Sequence, residues 1–341
     1  MNRLTKYLTL AAMALPVAAT ADPTGCDTGE EVLKFSVVTA LQGHPKGEAA
    51  LAYADYINAE MDGRYCVEVY GRSELYPDDE TLFQAMLDGD LHFAAPSFAK
   101  ISGYAAKADI FNLPFLFDGP LHVLEFLQSE EINQIGDQMS DDGFAALGYI
   151  SNGMRQFSST VPMRRPGDAE GQTFRVSSSS PVTAAVLDIM GITPMKLKFS
   201  EVYDNLANGT VQGQENTFAN IQKMGFYEVQ AAVTETNHTY IGYPMLTSQR
   251  FLDSLDAETR AVFLIGAQLI THERNRFAFE LNQISRRSII EDDGVVLALS
   301  PAEMQAWRDA FAPVLDEFKP SVGAEFVDAA IRINAAADPY N

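Results

Sequence analysis

Strand-like and helix-like segments alternate along the first hundred residues of this chain. Apolar runs rich in Val, Phe and Tyr predict strands, and apolar positions three and four residues apart predict helices that end at Asp-Gly pairs. In chain order the segments are a strand at 32–39, a helix at 46–61, a strand at 65–70, a helix at 79–86, a strand at 91–95 and an apolar, proline-containing edge or crossing strand at 112–117. Such alternation is typical of an α/β sheet covered by helices on both faces.

A second unit of the same kind begins near Gly153. A strand is predicted at 173–176, followed by helices at 181–190 and 199–206. Further along the chain, residues 255–287 form one continuous helical pattern. A helix of that length spans about 45 to 50 Å, which exceeds the width of a small domain. We therefore predict two α/β units with one long helix that runs across both.

The N-terminus has the order of a secretory signal peptide. Arg3 and Lys6 form a positive start, residues 8–19 are mostly apolar, and residues 19–21 (Ala-Thr-Ala) form a small-residue cleavage site. The apolar part is too short to span a membrane as a helix, and no later segment reaches the ~18 apolar residues that a span needs. We predict cleavage after Ala21, export to the periplasm and a mature chain that is not embedded in the membrane.

The mature chain is strongly acidic. The sequence carries 24 basic and 46 acidic residues, and removal of Arg3 and Lys6 with the leader leaves a net charge of −24. Such a surface repels nucleic acid and anionic lipid, so neither is an expected partner. It also repels anionic ligands at long range. A site for an anion therefore needs a local concentration of positive side chains.

Cys26 and Cys66 are the only cysteines in the chain. In an oxidising compartment the natural interpretation is one disulfide, which would fix the mature N-terminus to the second predicted strand. Two buried thiols are the alternative. We predict no metal site, because two distant cysteines without neighbouring histidines do not make a ligand set.

The sequence lacks the common catalytic signatures. It contains no G-x-S-x-G elbow, no P-loop, no H-E-x-x-H pair and no dinucleotide-type glycine fingerprint after a strand. Its acidic residues are scattered singly or in surface pairs. We expect a protein that is not an enzyme and that uses no cofactor. An exported enzyme on an α/β scaffold is the contrasting hypothesis.

Two arginines stand out against the acidic background. Arg155 follows residues 152–154 (Asn-Gly-Met), where a glycine lets the backbone turn as the chain enters the second unit, and Arg175 lies in the strand predicted at 173–176. An arginine fork can hold a carboxylate through two parallel hydrogen bonds, and a second arginine can take another of its faces. Each arginine taken alone is more typical of an exposed strand edge.

The segment 195–220 resembles the solute-binding subunits of tripartite ATP-independent periplasmic (TRAP) transporters, and it reads MKLKFSEVYDNLANGTVQGQENTFAN. The specific part of the likeness is F-S-E-V-Y followed by G-Q-E-N. Upstream, residues 153–155 resemble the G-x-R element of that family, and residues 168–176 resemble its D-x-K-G-x-K-x-R-V element. Further matching segments are 44–45, 113–117 and 226–230.

The resemblance implies a two-domain α/β clamp with a ligand cleft between the domains and a long helix that bridges both. On this pattern we expect domain I at 22–152 plus 242–281, and domain II at 153–241 plus 282–341. It also implies a monomeric periplasmic subunit that captures a small organic acid and delivers it to membrane permease subunits for secondary-active uptake. Closure around the ligand gives the permease a shape to recognise.

The same resemblance assigns roles to four residues. Arg175 would be the main carboxylate ligand, with Arg155 as a second contact. Asn216 would donate a hydrogen bond to the same carboxylate, and Phe199 would line the cleft. A fork, a second cation and an amide can together satisfy a desolvated carboxylate, while an aromatic ring excludes water.

Further candidate cleft residues follow from position. Four of them come after predicted strand ends, where open α/β sheets bind ligands: Thr39, Gln42, Ser73 and Glu74. Ser97 matches a cleft position that is acidic in sialic-acid-binding relatives, which argues against sialic acid as the ligand. Lys198 either adds a positive group for a dianionic ligand or lies in a solvent-facing loop.

A C4-dicarboxylate such as malate or succinate is the favoured ligand. A sugar acid, a keto or aromatic acid and a sulfonate stay open, because the two arginines require an anion without fixing the number of its acid groups. A ligand sensor that presents its closed form to a membrane receptor is a further alternative, and its residues would look the same.

Overall fold

The computed structural model describes residues 25–337, so the predicted leader and its cleavage site lie outside the described residues. Within that range the strands are β1 (Glu31–Ser36), β2 (Tyr65–Tyr70), β3 (Phe93–Ala94), β4 (Phe144–Met154), β5 (Gln156–Ser159), β6 (Thr173–Val176), β7 (Thr193–Lys196), β8 (Gly213–Asn216), β9 (Ala232–Glu235), β10 (Tyr240–Ser248) and β11 (Val296–Ala298). The helices are α1 (Pro45–Glu60), α2 (Asp79–Asp88), α3 (Phe98–Ile101), α4 (Pro120–Gln128), α5 (Asn133–Ser140), α6 (Pro181–Ile189), α7 (Val202–Ala207), α8 (Phe218–Lys223), α9 (Gln249–Ser254), α10 (Ala257–Glu291), α11 (Pro301–Val322) and α12 (Ala324–Ala337).

The first sheet contains the predicted alternation. Its strand order is β2-β1-β3-β10-β4, and β1 pairs in parallel with both β2 and β3, as strands joined by crossover helices do. The core of this half is apolar and aromatic, with Phe35, Tyr53 and Phe93 fully buried against one another. The predicted α/β class is confirmed.

The strand β10 was not predicted, although it is an interior strand of the first sheet, between β3 and β4. It runs antiparallel to β4 along its whole length, and every one of its residues is buried. Pro244 makes the segment a poor strand candidate, since proline cannot donate to a ladder. The structure accommodates it because β3 pairs with β10 only at Leu246, so no β3 partner stands beside Pro244.

The second sheet has the order β11-β9-β5-β8-β6-β7. Arg155 stands between β4 and β5, where the chain leaves the first sheet, and residues 236–239 bring it back from β9 to β10. The two sheets and their helices form the expected two-domain clamp. The exact domain boundaries stay a prediction. The C-terminal helix α12 packs on α4, where the rings of Phe126 and Phe326 lie 5.4 Å apart.

The long helix α10 joins the two halves. Its Asp256 cap accepts a hydrogen bond from the Thr259 backbone N–H at 2.8 Å, and the helix then continues for 35 residues. It packs on α1 and β4 of the first half and on α8 of the second. The predicted bridging helix is therefore confirmed. Within residues 25–337, no helix is both long enough and apolar enough to cross a membrane.

Two further predictions have clear outcomes. Cys26 and Cys66 form a disulfide with their Cα atoms 5.6 Å apart, which links the start of the described chain to β2. The prediction of a strand at 112–117 was wrong. A 3₁₀ helix (Ala106–Asn112) ends there, and Phe115 adopts a left-handed backbone conformation with φ 54°, which no ladder strand contains.

Candidate ligand-binding cleft

A cleft lies between the two sheets, beside the point where the chain crosses from one to the other. Eight of the residues predicted from the sequence line it: Thr39, Ser73, Ser97, Arg155, Arg175, Lys198, Phe199 and Asn216. Gln42 and Glu74 instead line a separate surface depression. The structure thus brings the eight together from both sheets, and their contacts with a ligand stay a prediction.

Arg175 is held on the second sheet by strand β6, which pairs with β7 on one side and β8 on the other. Its neighbours Phe174 and Val176 are buried in the core, so the arginine points to the opposite face. The side chain is only 5% exposed. Its Nε donates to the Leu197 carbonyl at 3.2 Å, and its guanidinium carbon lies 6.0 Å from the centre of the Phe199 ring. These contacts orient the fork within the cleft.

Arg155 is buried and already has an acidic partner. Its Nη1 lies 3.2 Å from Glu215 Oε1 and donates to Asn112 Oδ1 at 2.9 Å. The register of β5 on β8 explains the pairing, because Gln156 stands opposite Asn216 and Phe157 opposite Glu215. The protein itself therefore balances the charge of Arg155, which the sequence did not indicate.

Glu215 stays ionised at the centre of this group. Burial alone would raise its pKa, but the charge of Arg155 and the hydrogen bond and charge of His238 lower that pKa to about 2. His238 Nε2 lies 2.8 Å from Glu215 Oε2, and its ring stacks on Phe157 with centroids 3.9 Å apart. The acid thus forms a fixed negative group in the wall of the cleft.

Asn216 has an amide that is oriented for donation. Its Oδ1 accepts from the Thr217 backbone N–H at 3.1 Å and from Asn220 Nδ2 at 2.5 Å. Because both bonds occupy the oxygen, the Nδ2 group is the part that can donate to a ligand. This orientation agrees with the role that was expected for Asn216.

A buried amide network joins the two walls behind Asn216. Asn220 Oδ1 accepts from His44 Nε2 at 2.8 Å and from Asn152 Nδ2 at 3.3 Å. Asn152 Nδ2 also donates to the Tyr243 hydroxyl at 2.7 Å. His44 begins α1 on the first half and Asn220 lies in α8 on the second, so this contact ties the halves together at the cleft floor.

The hydrogen bond that His44 accepts from the Lys46 backbone requires a neutral imidazole. His44 Nδ1 accepts from the Lys46 backbone N–H at 3.1 Å, so Nε2 carries the proton. Burial, followed by the charge of Lys46, lowers the pKa of His44 to about 3. The unfolded chain takes up this proton near pH 6.5, whereas the folded protein resists it down to about pH 3.

Acidification should therefore destabilise the protein through His44. Between pH 6.5 and about 3 the unfolded state binds one more proton at this residue, so the free energy of unfolding falls by about 1.4 kcal/mol for each pH unit lost. We expect His44→Gln to flatten this slope in urea titrations at pH 7, 6 and 5. His272→Gln, on an exposed face of α10, is the matched control and should keep the wild-type slope. A wild-type slope in His44→Gln would contradict the expectation.

The cleft is positive although the chain as a whole is acidic. Its lining includes five cations and only two carboxylates: Lys46, Lys100, Arg155, Arg175 and Lys198, against Asp78 and Glu215. Lys198 is half exposed at the rim and lies 3.4 Å from Asp78 on the other wall, so it both lines the cleft and faces solvent. The local positive excess that an anion site requires is therefore present.

Lys46, Lys100 and Tyr243 also line the cleft but were not predicted. Lys46 is only 2% exposed, and its Nζ lies 4.3 Å from the centre of the Tyr243 ring. One signal was available in the sequence. A lysine in the first turn of a helix opposes the helix dipole, so its presence there calls for a reason outside the helix.

Comparison with known proteins places this cleft in a family. The model of the bacterial extracellular solute-binding proteins, family 7, matches residues 35–321. The C4-dicarboxylate-binding periplasmic protein DctP of Vibrio cholerae is 39% identical over 96% of this chain and 99% of its own length. A TRAP periplasmic solute-binding protein from Shewanella oneidensis, crystallised with bound succinate, superposes with a TM-score of 0.86 at 37% identity, covering 90% of this chain and 100% of that one.

A second solved structure gives the same result. A TRAP periplasmic solute-binding protein from Pseudomonas aeruginosa, with bound L-malate, superposes with a TM-score of 0.81 at 32% identity, covering 84% of this chain and 99% of that one. The family match spans most of the sequence, and the relatives are matched over almost their whole length. The chain therefore belongs to family 7 of the bacterial extracellular solute-binding proteins, as a periplasmic solute-binding subunit of the TRAP transporter type.

Proposed function

We propose that this protein captures a C4-dicarboxylate in the periplasm and delivers it to TRAP permease subunits for uptake. The observation that carries the proposal is the positive cleft, in which a buried and oriented Arg175 faces further cations on the opposite wall. The relatives support it, since the Vibrio cholerae protein is named for C4-dicarboxylates and the two solved structures contain succinate and L-malate. The proposed role is binding without chemistry.

The arrangement suggests how one carboxylate is held. The fork of Arg175 would take both oxygens, and Asn216 Nδ2 would donate to one of them. The Phe199 ring, which lies beside the fork, would exclude water and so strengthen both bonds. Arg155 would add positive potential while it remains paired with Glu215. These four roles are the ones expected from the sequence.

Ligand binding is coupled to the relative arrangement of the two halves through the contacts between the cleft walls. His44 with Asn220 at the floor, and Lys198 with Asp78 at the rim, hold the halves together around the cleft. A ligand that contacts both walls adds to these contacts and stabilises the same arrangement. A permease that recognises this arrangement would then select the loaded protein. We also propose that the exported chain loses its leader after Ala21.

A thermal-shift and calorimetry panel tests the ligand class. We expect succinate, malate and fumarate to stabilise the mature protein, each by about 2.7 kcal/mol at a hundred times its dissociation constant. Galactonate, pyruvate, benzoate and taurine represent the sugar acids, keto acids, aromatic acids and sulfonates, and they should bind more weakly. A tighter sugar acid or sulfonate would replace the proposed ligand class. Binding of uncharged ligands alone would refute an anion site.

A further inference from the structure

A buried carboxylate is connected to the cleft lining through one intervening residue. Asp109 is 7% exposed and lies in the 3₁₀ helix (Ala106–Asn112) of the first half. Burial raises the pKa of its carboxyl, while hydrogen bonds from Asn112 and Ser180 and the charge of Arg155 lower that pKa. A carboxylate in such a place is unfavourable unless its partners compensate for the lost water. The partners of Asp109 therefore indicate what the acid does.

One partner connects Asp109 to Arg155. Asn112 Nδ2 donates to Asp109 Oδ1 at 2.7 Å, and Asn112 Oδ1 accepts from Arg155 Nη1 at 2.9 Å. An ionised carboxylate only accepts, so Asp109 fixes which end of the Asn112 amide faces the arginine. Without Asp109 the amide can turn and present its NH₂ group to the guanidinium, which has no acceptor. Asp109 thus orients one of the groups that hold Arg155 in place.

The other partner connects Asp109 to the loop that follows the strand of Arg175. Ser180 Oγ donates to Asp109 Oδ1 at 2.8 Å, and both side chains are buried. Ser180 also caps α6, where its Oγ accepts from the Thr183 backbone N–H at 3.5 Å. The bond to Asp109 therefore holds the end of a short segment that begins at Arg175 and includes Ser177, which lines the cleft.

The two hydrogen bonds meet on one oxygen and join the two halves of the protein. The 3₁₀ helix of Asp109 lies between β3 and β4 of the first sheet, whereas Ser180 lies between β6 and β7 of the second. Asp109, Asn112 and Ser180 are not among the residues that line the cleft. They can therefore affect a ligand only through the residues that they hold.

We infer that Asp109 is a positioning residue for ligand binding, which holds Arg155 through Asn112 and the segment after Arg175 through Ser180. This inference rests on the proposed function and goes beyond it, because it places a determinant of affinity outside the cleft. A ligand then meets two arginines that are already set relative to each other, so less conformational freedom is lost on binding. Both bonds need only an acceptor at Oδ1, so the role depends on hydrogen bonding and does not require the charge.

Calorimetric titration of Asp109 variants with succinate provides the first test. Asp109→Ala removes the acceptor of both bonds and should lower succinate affinity by about 10- to 100-fold. Asp109→Asn can keep an oxygen at the position of Oδ1, so it should restore affinity to within about threefold of the wild type. An equal loss of affinity in the alanine and asparagine variants would overturn the inference, because the charge and not the pair of hydrogen bonds would then matter.

A double-mutant cycle tests whether Ser180 acts through Asp109. Ser180→Ala should lower succinate affinity by about tenfold in the wild-type background and no further in Asp109→Ala, where the bond has already lost its acceptor. Ser180→Thr keeps the hydroxyl and should retain the wild-type affinity. If Ser180→Ala caused the same loss in both backgrounds, the connection through Asp109 would be refuted.

A second buried serine cap is the matched control for Ser180. Ser248 is 4% exposed and caps α9, where its Oγ accepts from the Phe251 backbone N–H at 3.2 Å. It is not among the residues that line the cleft. Ser248→Ala should lower the melting temperature, as the loss of a helix cap does, and should leave succinate affinity unchanged. This control separates the loss of a cap from the loss of the bond to Asp109.

The outcomes distinguish this inference from the proposed function. If Asp109→Ala and Ser180→Ala bind succinate as tightly as the wild type does, the positioning role is refuted while C4-dicarboxylate binding stands. If the wild-type protein does not bind succinate, the proposed function falls and the positioning role falls with it. Should Asp109→Ala fail to fold, the contrast between Ser180→Ala and Ser180→Thr decides the question, because these two variants differ in whether residue 180 can donate to Asp109.

Discussion

Replacement of Arg175 by alanine should abolish the stabilisation of the protein by C4-dicarboxylates. The guanidinium is buried, oriented by the Leu197 carbonyl and backed by Phe199, so no solvent is at hand to replace it. Loss of a buried, hydrogen-bonded charge partner costs about 2–5 kcal/mol, which corresponds to a fall in affinity of roughly 30- to 5,000-fold. Calorimetric titration with succinate, together with thermal shift, measures the loss directly.

Two further variants serve as controls for the Arg175→Ala measurement. Arg164 is half exposed and pairs with Glu303 at 2.9 Å, so Arg164→Ala makes the same change of charge away from the cleft and should retain affinity. Arg175→Lys keeps the charge but loses the fork, and we expect an intermediate affinity. If Arg175→Ala bound succinate as tightly as the wild type, the proposed site would be wrong.

Replacement of Glu215 by glutamine should strongly destabilise the fold. Glu215 lies between Arg155, which is 3% exposed, and the fully buried His238. Glutamine removes the negative charge and leaves the arginine buried without a carboxylate. Breaking a buried ion pair by removing one partner costs about 3–5 kcal/mol. Urea denaturation at pH 7, monitored by circular dichroism, should show a large fall in the midpoint.

An exposed ion pair is the appropriate control for Glu215. Arg260 and Asp253 lie 3.2 Å apart with side chains 37% and 60% exposed, so Asp253→Asn should cost less than about 1 kcal/mol. Acidification should also lower the free energy of unfolding, as the Glu215 substitution does. Because the folded protein holds the pKa of Glu215 at about 2, its contribution is present above pH 4.5 and is lost as the pH falls towards 2. A midpoint unchanged in Glu215→Gln would show that the pair does not support the fold.

The fold was predictable where local pattern decides structure. The alternation over residues 32–95 and the long helical pattern over residues 255–287 depend on spacing within a few turns, and both are present in the structure. The strand β10 was missed because Pro244 opposes a strand locally, while its burial between β3 and β4 depends on pairing with distant residues. The apolar character of the segment 112–117 predicts a strand, but the rings of Phe115 and Phe117 pack against other rings and the segment joins no sheet.

The cleft-lining residues were predictable where they lie in a recognisable sequence motif. Arg175 and Asn216 lie in segments that resemble a known family, and they line the cleft with the other candidates. Lys46 and Glu215 were missed for one physical reason. The features that set them apart are the ring of Tyr243 beside the lysine and the guanidinium of Arg155 beside the acid, and both come from remote parts of the chain. The place of Lys46 in the first turn of α1 signals only that the lysine has some role outside the helix, and local spacing identifies neither partner.

The place of β10 within the first sheet also sets an order of assembly during export. A chain that enters the periplasm N-terminus first delivers β1 to β3 early, yet the strand that joins them to β4 ends only at Ser248, after β5 to β9 have emerged. Until then the early strands have open edges, which are prone to wrong pairing, and such distant pairing slows completion. The disulfide between Cys26 and Cys66 can close before any of this later chain arrives. A covalent restraint is thus available first in the part of the protein that must wait longest for its partners.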